Sequence, residues 1–529
     1  MALALFMGLG AVAGMKTPET SKLFVRWQDP ESGVVSYLLK PGLAGWNQQG
    51  VYFTTKSMTD DGRFLVFDIS EDERVKPVGF HIDLAKRKAL VDFQKDEVVL
   101  LDGVDGGIPF LDVRNDILYY ARRDPQTGEP LPFIFRRELL KDPCKETLCC
   151  RIPDEVRGGG KEVSDWFTHL TLSADRRYAF LESKIDVKRQ RGDAIDPLKP
   201  GGIYTQGLLE LATGRYVKWG NADFYCNHGQ INPMDATMAM CAWDGCANKV
   251  RPGDVYPRLW LFRADGSKRM VPPACGNYAT HERWTEDGRG FTYCAYGTVY
   301  HDLATDRQEV VCPLFAAHAV MDAANRYVLY DAPWDGWWRG HPWRVQFWNR
   351  ATGRKVDIYS HSPAFCPEFP SSKTSRLHPD AHAAFACNDR YSVCTFTGED
   401  RRLNLMVTPV AQLIEKTQGE SEHAVWDLSE TVACVNKRTW GENCRRGVGR
   451  IEQWLQKAAG APMRASGRCF VFDQVAPGEK AAPHGMGCVK IDQGRAFFWG
   501  DIERAAEAFI EHVPCQAKVT LEDGAFWVK

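Results

Sequence analysis

Five of the thirteen histidines occupy the same position of a recurring sequence pattern. In each unit a small or polar residue stands four positions after the histidine, and an Asp-, Asn- or Gly-rich turn and an apolar run follow. The five histidines are His169, His228, His281, His318 and His382. Neutral imidazole is a metal ligand and titrates near neutral pH, so histidines in register indicate metal binding or proton transfer.

Two earlier units, at Thr55 and Ile108, share this frame without a histidine, so the pattern occurs seven times at intervals of 37 to 64 residues. Repeats of this size, built from short strands and polar turns, indicate the blades of a β-propeller. The first strand of each blade lines the central channel, so residues in register at its start converge on one end of that channel. We therefore predict an all-β seven-bladed β-propeller with histidines around one channel end. The alternative is that each histidine only hydrogen-bonds the neighbouring blade.

The chain divides into three parts by composition. Residues 1–21 are predicted as a signal peptide and leader, 22–420 as the propeller, and 421–529 as a small C-terminal α+β module. Residues 403–410 are the expected last strand, closing the ring beside the N-terminal strand at 34–39. A short capping helix is expected at 409–417. Helical periodicity in the C-terminal module covers 447–458 and 502–512.

Charge and composition narrow the partners and the compartment. The net charge is −2 and the pI about 6.7, which argues against nucleic acid or an anionic membrane surface as a partner. Residues 2–14 resemble a signal-peptide core ending in Ala-Val-Ala, too short to span a bilayer, and no later segment spans one. Secretion or a periplasmic location is therefore expected, or a cytoplasmic one if Met15 is the true start. Nothing in the sequence specifies an oligomeric state.

The seventeen cysteines have two interpretations. Local clusters, such as Cys144, Cys149 and Cys150, suit disulfides in an oxidising compartment. Cysteines inside apolar runs, such as Cys294 and Cys394, suit buried thiols that pack as small hydrophobic groups.

Three cationic side chains are candidates for binding a substrate carboxylate. Arg283 lies two residues after His281, so strand alternation predicts that both face one side. A guanidinium binds a carboxylate through two parallel hydrogen bonds, which suits Arg283 for catalysis and Arg258 for substrate binding, with Lys56 as a further candidate. The alternative is a structural arginine that bridges blades.

Two other segments contain residues suited to binding. His378, Asp380 and His382 alternate along the chain, and His and Asp together suit a divalent cation such as Mn, Ca or Zn. The run at 333–343 contains Trp337 and Trp338, whose flat faces suit sugar stacking or, alternatively, packing against the C-terminal module. No Walker loop, HExxH, G-x-S-x-G or Rossmann fingerprint occurs in a suitable context.

Two sets of motifs resemble propeller polysaccharide lyases over roughly residues 25–417. HGQINPMD at 228–235 resembles the G-H-x-x-x-S-P-x-D motif of oligogalacturonate lyases, and ATHERW at 279–284 resembles their G-H-E-F-W motif, whose His binds a catalytic manganese. Asp380 and His382 stand where that family has two metal-binding histidines, and Leu377 stands where a ligand Gln is expected. DPESGVV at 29–35, YFTTKSMTDDGR at 52–63 and VTPVAQLIEKT at 407–417 resemble the ulvan lyase branch, which includes an α-L-rhamnosidase acting on rhamnose linked to glucuronate.

The resemblance implies β-elimination on an acidic oligo- or polysaccharide. His169 and His228 are the expected base and acid, Arg283 the carboxylate-binding group, and His281, His382 and Asp380 the metal ligands. His318 is a further candidate with no assigned role. Two alternatives remain: a glycoside hydrolase acting on rhamnose–glucuronate glycans, and a propeller that binds glycan or protein without catalysis.

Overall fold

A computed structural model describes most of the predicted propeller and parts of the C-terminal module. The described residues are 14–43, 47–70, 87–157, 166–185, 204–243, 258–273, 279–294, 298–312, 316–333, 343–360, 381–397, 402–419, 487–492, 495–500, 505, 519–522 and 525–528.

The chain is a seven-bladed β-propeller, as predicted, and each blade is an antiparallel sheet. The two N-terminal strands are β1 (Phe24–Gln28) and β2 (Val35–Leu39). Blade 1 comprises β3 (Asn47–Gly50), β4 (Phe64–Ser70), β5 (Arg87–Asp92) and β6 (Glu97–Leu101). Blade 2 comprises β7 (Gly106–Asp112), β8 (Ile117–Ala121), β9 (Phe133–Glu138) and β10 (Thr147–Arg151).

Blade 3 comprises β11 (Tyr178–Lys184), β12 (Tyr204–Glu210) and β13 (Tyr216–Ala222), with Leu172 bridged to Ala179 on the channel side. Blade 4 comprises β14 (Cys226–Ile231), β15 (Met238–Trp243), β16 (Leu259–Arg263) and β17 (Lys268–Val271). Blade 5 comprises β18 (Thr280–Trp284), β19 (Gly290–Cys294), β20 (Thr298–Asp302) and β21 (Arg307–Cys312). Blade 6 comprises β22 (His318–Met321), β23 (Tyr327–Pro333), β24 (Trp343–Asn349) and β25 (Arg354–Tyr359).

Blade 7 closes the ring with strands from both ends of the propeller. It joins β26 (Ala384–Ala386), β27 (Tyr391–Thr397) and β28 (Leu403–Pro409) to β2 and β1, and Tyr37 of β2 pairs with Val407 of β28. The closure predicted for residues 403–410 is therefore confirmed. The capping helix is α1 (Val410–Lys416), and a short 3₁₀ helix lies at Asp154–Val156.

The first turn of several blades is stabilised by the polar residue that defines the sequence pattern. The hydroxyls of Thr59, Ser173 and Thr285 each donate to an Asp two residues on, at 2.7 Å. These carboxylates then accept backbone N–H groups across the turn, such as that of Arg63. Side-chain capping of this kind compensates backbone groups that the hairpin leaves unpaired. It explains why the pattern keeps one spacing in blades of different length.

Apolar faces of neighbouring blades form the core. Leu90 of blade 1 packs with Leu118 and Tyr120 of blade 2, and Val320 of blade 6 packs with Phe385 of blade 7. Each fully buried Val, Leu or Phe stabilises the fold by about 1.5–3 kcal/mol. Cys294 and Cys394 are buried in strands, as the second interpretation predicted.

The described part of the C-terminal module is a four-stranded antiparallel sheet of β29 (Gly487–Asp492), β30 (Arg495–Gly500), β31 (Val519–Glu522) and β32 (Ala525–Val528). The helix predicted at 447–458 lies outside the described residues. Of 502–512 only Ala505 is described, and it is helical. Among the described residues, no helix has the length and apolarity needed to cross a bilayer.

Candidate active site at one end of the channel

Three of the five histidines have a left-handed backbone at or just before the start of a channel strand. His228, His281 and His382 have φ of 57°, 52° and 49°, in the left-handed region that non-glycine residues seldom adopt. In blades 4 and 5 the bulge leaves two residues opposite one, between Asn227 and Gln230 and between Thr280 and Arg283. Bulges re-aim side chains and concentrate near functional sites, where such strain is maintained by the surroundings.

The bulges and the pattern together bring all five imidazoles into one row around the channel. Successive ring centroids lie 4.9 Å apart for His169 and His228, 6.5 Å for His228 and His281, 4.0 Å for His281 and His318, and 4.6 Å for His318 and His382. The convergence predicted from the register of the repeats is therefore present.

Blade 1 contributes two aromatic rings to the centre of this row. Tyr52 has its ring centroid within 6.1 Å of four imidazoles, those of His169, His228, His318 and His382. Phe53 lies beside His318 at 4.9 Å and is fully buried, whereas Tyr52 is partly exposed. Blade 1, one of the two blades without a pattern histidine, thus supplies aromatic rings against which the imidazoles pack.

A buried carboxylate joins His228 to Arg258. Glu282 accepts a hydrogen bond from Nδ1 of His228 at 2.8 Å and one from Nε of Arg258 at 3.0 Å, and it is fully buried. Burial alone would raise the pKa of Glu282, but the Arg258 charge and the His228 hydrogen bond hold it well below its usual value. The carboxylate is therefore ionised. It orients the His228 ring through the bond to Nδ1.

Two further imidazoles, those of His281 and His318, have fixed acceptors at Nδ1. His281 donates from Nδ1 to the Ala317 carbonyl at 2.5 Å, and His318 donates to Asp331 at 2.9 Å. Asp331 also accepts the His382 amide at 2.7 Å. Because a carbonyl only accepts, Nδ1 of His281 bears the hydrogen and Nε2 bears the lone pair when the ring is neutral.

Burial keeps at least two of these rings neutral. Desolvation lowers the pKa of His169 well below 6.5, and the neighbouring His228 adds to this effect. Desolvation also lowers the pKa of His281 well below 6.5, followed by the charge repulsion of His318 and Arg258. Neutral imidazoles can accept protons or ligate a metal at neutral pH.

Arg283 and Lys56 lie together and share the carboxylate of Glu286. Arg283 donates from Nη1 to the Phe53 carbonyl at 2.5 Å and from Nη2 to Glu286 at 3.2 Å, and Lys56 pairs with Glu286 at 3.1 Å. The bulge adds one residue after Thr280, so simple alternation does not place Arg283 on the face of His281. Arg258, by contrast, does lie beside His228, with its Nη2 3.5 Å from that ring's Nδ1.

The chemistry of the imidazoles fits a divalent cation, although the described residues alone do not complete a site. Metal-bound histidines typically direct the second ring N–H to a carbonyl or carboxylate, as His281 and His318 do. Among the described residues, however, no group of three His, Cys, Asp or Glu is arranged to hold an ion. Asp380 lies outside the described residues, as do Trp337 and Trp338, so their predicted roles remain predictions.

Sequence reasoning missed Tyr52, Phe53, Glu282 and Asp331. Glu282 directly follows a pattern histidine, and Asp331 ends the apolar run of blade 6. Neither residue belongs to a motif that would mark it as a partner of an imidazole. Tyr52 and Phe53 stand three and two residues before the pattern position of the first histidine-free unit. A paired aromatic at the unit without a histidine was the one available hint.

Two solved structures of oligogalacturonate lyase share this fold. One, in complex with manganese, is 18% identical with a TM-score of 0.53. The other, from Vibrio parahaemolyticus, is 18% identical with a TM-score of 0.55, and each alignment covers 73% of this chain and 96% of the other. No family model and no curated protein matches the chain. The predicted resemblance is thus confirmed for the propeller fold, while the kinship to rhamnose–glucuronate enzymes stays a prediction.

Proposed function

We propose that this protein is a polysaccharide lyase that cleaves uronic-acid glycans by β-elimination. The row of five imidazoles, each with a fixed hydrogen-bond acceptor or a packed ring partner, is the observation that carries the proposal. The similarity in fold to oligogalacturonate lyase supports the reaction class. Glucuronate- or iduronate-rhamnose glycans and oligogalacturonate are the proposed substrates.

The chemistry requires one proton to leave and another to arrive. The proton on C5 of a uronate is weakly acidic because it is adjacent to the carboxylate, and the leaving oxygen needs a proton as its bond breaks. We assign this acid–base pair to His169 and His228, whose rings stack at 4.9 Å. His169 is neutral and suited to accept a proton, while the Glu282 carboxylate bonds Nδ1 of His228 and orients that ring.

The two members of the pair differ in access to the sugar. His169 is 1% exposed, whereas the side chain of His228 is 13% exposed. His228 is therefore the more accessible member of the pair.

His281 and His382, with Asp380, are the residues proposed to hold a divalent cation. When bound, such a cation would neutralise the uronate carboxylate and so stabilise the enolate-like transition state. Arg258 reinforces the positive potential on the same side because it lies against His228. The carboxylate-binding role predicted for Arg283 stays a prediction, since its guanidinium is paired with Glu286 and the Phe53 carbonyl.

The carboxylates beside the imidazoles disfavour a glycoside hydrolase. Hydrolases generally act through two carboxyl groups that flank the scissile bond. Here Glu282 and Asp331 are both fully buried, and each accepts hydrogen bonds from an imidazole. They orient histidines and do not face a substrate.

The function is tested by near-ultraviolet absorbance on a panel of ulvan, rhamnose–glucuronate side chains, oligogalacturonate and pectin, each with and without chelator. Rising absorbance on any substrate reports the 4,5-unsaturated uronate of an elimination, and its loss with chelator supports the cation. Release of reducing sugar without absorbance would establish hydrolysis instead. Neither signal on any acidic glycan would favour a binding propeller.

His228→Ala tests the acid–base assignment on whichever substrate is cleaved. We expect kcat/KM to fall about 10²- to 10⁴-fold, because a positioned acid or base contributes about that much. His301→Ala is the matched control, since His301 is 1% exposed in blade 5 and pairs with Asp306 outside the row. Full turnover by His228→Ala would remove the role assigned to this residue.

A further inference from the structure

The innermost strand of blade 1 does not run straight along the channel. β3 ends at Gly50, and the strand path resumes only at Met58, which bridges to Leu65 of β4. Residues 51–57 between these points, which we call the plug, enter the channel and present Tyr52 and Phe53 to the imidazoles. The plug turns on itself through the bond from the Thr55 amide to the Tyr52 carbonyl, at 2.9 Å.

Three charged residues attach the plug to blade 5. Arg283 binds the Phe53 carbonyl and Glu286, and Glu286 binds Lys56 at the far end of the plug. These contacts run from blade 1 to blade 5, which are not neighbours in the ring, so they cross the channel. We call Lys56, Arg283 and Glu286 the cross-channel latch.

Two neutral polar contacts also join the plug to other blades. The Thr54 hydroxyl lies 3.3 Å from Nδ1 of His169, and the Thr55 hydroxyl lies 3.4 Å from the Pro109 carbonyl. The charged bonds of the latch are the stronger set, because charge-assisted hydrogen bonds exceed neutral ones in strength. The depth to which Tyr52 and Phe53 enter the row of imidazoles therefore depends on the latch.

The burial of Arg283 makes the latch sensitive to loss of its charged partner Glu286. Arg283 is 8% exposed, and desolvation lowers its pKa, which the Glu286 charge partly offsets. For Glu286 burial favours the neutral acid, but Lys56 and then Arg283 outweigh it and lower its pKa. Arg283 is the buried member, whereas the side chains of Lys56 and Glu286 are 19% and 37% exposed. Removing Glu286 therefore leaves a buried arginine charge without its carboxylate partner.

We propose that Lys56, Arg283 and Glu286 are positioning residues that set the active site through the plug. This inference rests on the proposed function, because it gives the latch a role at the same site. Arg283 holds the Phe53 carbonyl, Phe53 packs against His281, His318 and His382, and the adjacent Tyr52 packs against His169 and His228. A shift of the plug therefore moves the environment of all five imidazoles at once.

Glu286→Gln and Arg283→Lys in the full-length protein test the proposal. Gln keeps the shape of Glu286 and removes its charge, and Lys keeps the charge of Arg283 but loses the fork that reaches two acceptors. The first measurement is NMR of histidine labelled with carbon-13 at Cε1. We expect the signals of the five imidazoles to shift together, because Tyr52 and Phe53 impose ring-current shifts on them, while the signal of His301 stays in place.

The second measurement separates kcat from KM on the cleaved substrate. We expect kcat to fall about 10- to 100-fold with little change in KM, since misplacing a catalytic group by about 1 Å has an effect of that order. If the protein cleaves no uronate glycan, the proposed function fails, and the NMR shifts still report whether the latch sets the imidazoles.

Asp112→Asn is the matched control for a purely structural ion pair. Asp112 is fully buried and pairs with Arg176 at 3.0 Å between blades 2 and 3, and it bonds none of the three latch residues among the contacts described. It should lower the melting temperature without moving the imidazole signals. The proposal is overturned if both latch variants behave like Asp112→Asn. It is also overturned if they raise only KM and leave the signals in place, which is the behaviour of a substrate-binding arginine.

Discussion

At the scale of single residues, the site depends on what each imidazole is bonded to. His228 has a carboxylate partner, His281 a carbonyl and His169 a threonine hydroxyl, so chemically identical side chains have different environments. His169 is both buried and close to His228, and both effects disfavour its protonated form. The repeat by itself makes the five histidines equivalent, whereas their hydrogen bonds distinguish them.

The low pKa of His169 predicts an acid sensitivity of the fold. In the unfolded chain this residue titrates near 6.5, while the folded state resists protonation to well below that pH. In the window below 6.5 the unfolded state binds more protons, so the free energy of unfolding falls as pH falls. We expect the melting temperature of His169→Gln to decline less than that of wild type between about pH 7 and about pH 5. Parallel declines would contradict this account of His169.

At the scale of elements, the β-bulges decide which side chains reach the channel. In blade 5 the bulge places the Glu282 carboxylate within hydrogen-bond distance of His228 on blade 4. The same bulge moves Arg283 off the strand face that simple alternation predicts for it. The repeat does not reveal which units contain a bulge. His318 shares the pattern with His281, yet it pairs with Asp331 in regular register without a bulge. Alternation therefore predicts the right strands and misplaces individual residues.

The left-handed backbone at the bulges predicts an unusual order of stability among substituted proteins. At His281, φ is 52°, so His281→Val should be less stable than His281→Gly by about 1–2 kcal/mol, because a β-branched residue is strained there. At His318, in regular pairing, Val should be the more stable of the two because it favours strands and Gly does not. Urea denaturation of the four variants measures both differences. The same order at both sites would show that the bulge is not what constrains His281.

At the scale of the whole molecule, the ring is held closed by strands from its two ends. β2 pairs with β28, and the hydroxyls of Ser36 and Thr408 bond at 2.8 Å in the interior of that contact. Asp29 adds a second link, because it accepts the amide and hydroxyl of Ser360 at the end of blade 6. Closure of this kind makes the blades one cooperative unit.

Removing the N-terminal strands should therefore disrupt the ring. A chain that starts at residue 44 loses Leu23, Phe24, Val34 and Leu39 from the core, each contributing about 1.5–3 kcal/mol. We expect it to lose the single cooperative thermal transition, as followed by circular dichroism. A chain that starts at Met15 keeps β1 and β2 and serves as the control. An unchanged transition in the shorter chain would mean that blade 7 closes without these strands.

The repeat itself determined the propeller, its closure and the convergence of five histidines, because all of these follow from register and local turn chemistry. Thr59, Ser173 and Thr285 cap their turns through neighbours two residues away, so their effect can be derived along the chain. Three features were determined only by the tertiary structure: the entry of the plug into the channel, the pairing of Glu282 with His228 and the position of Arg283. Those contacts join residues 54 to 230 positions apart. They depend on a bulge and on a detour of the chain that no local pattern encodes.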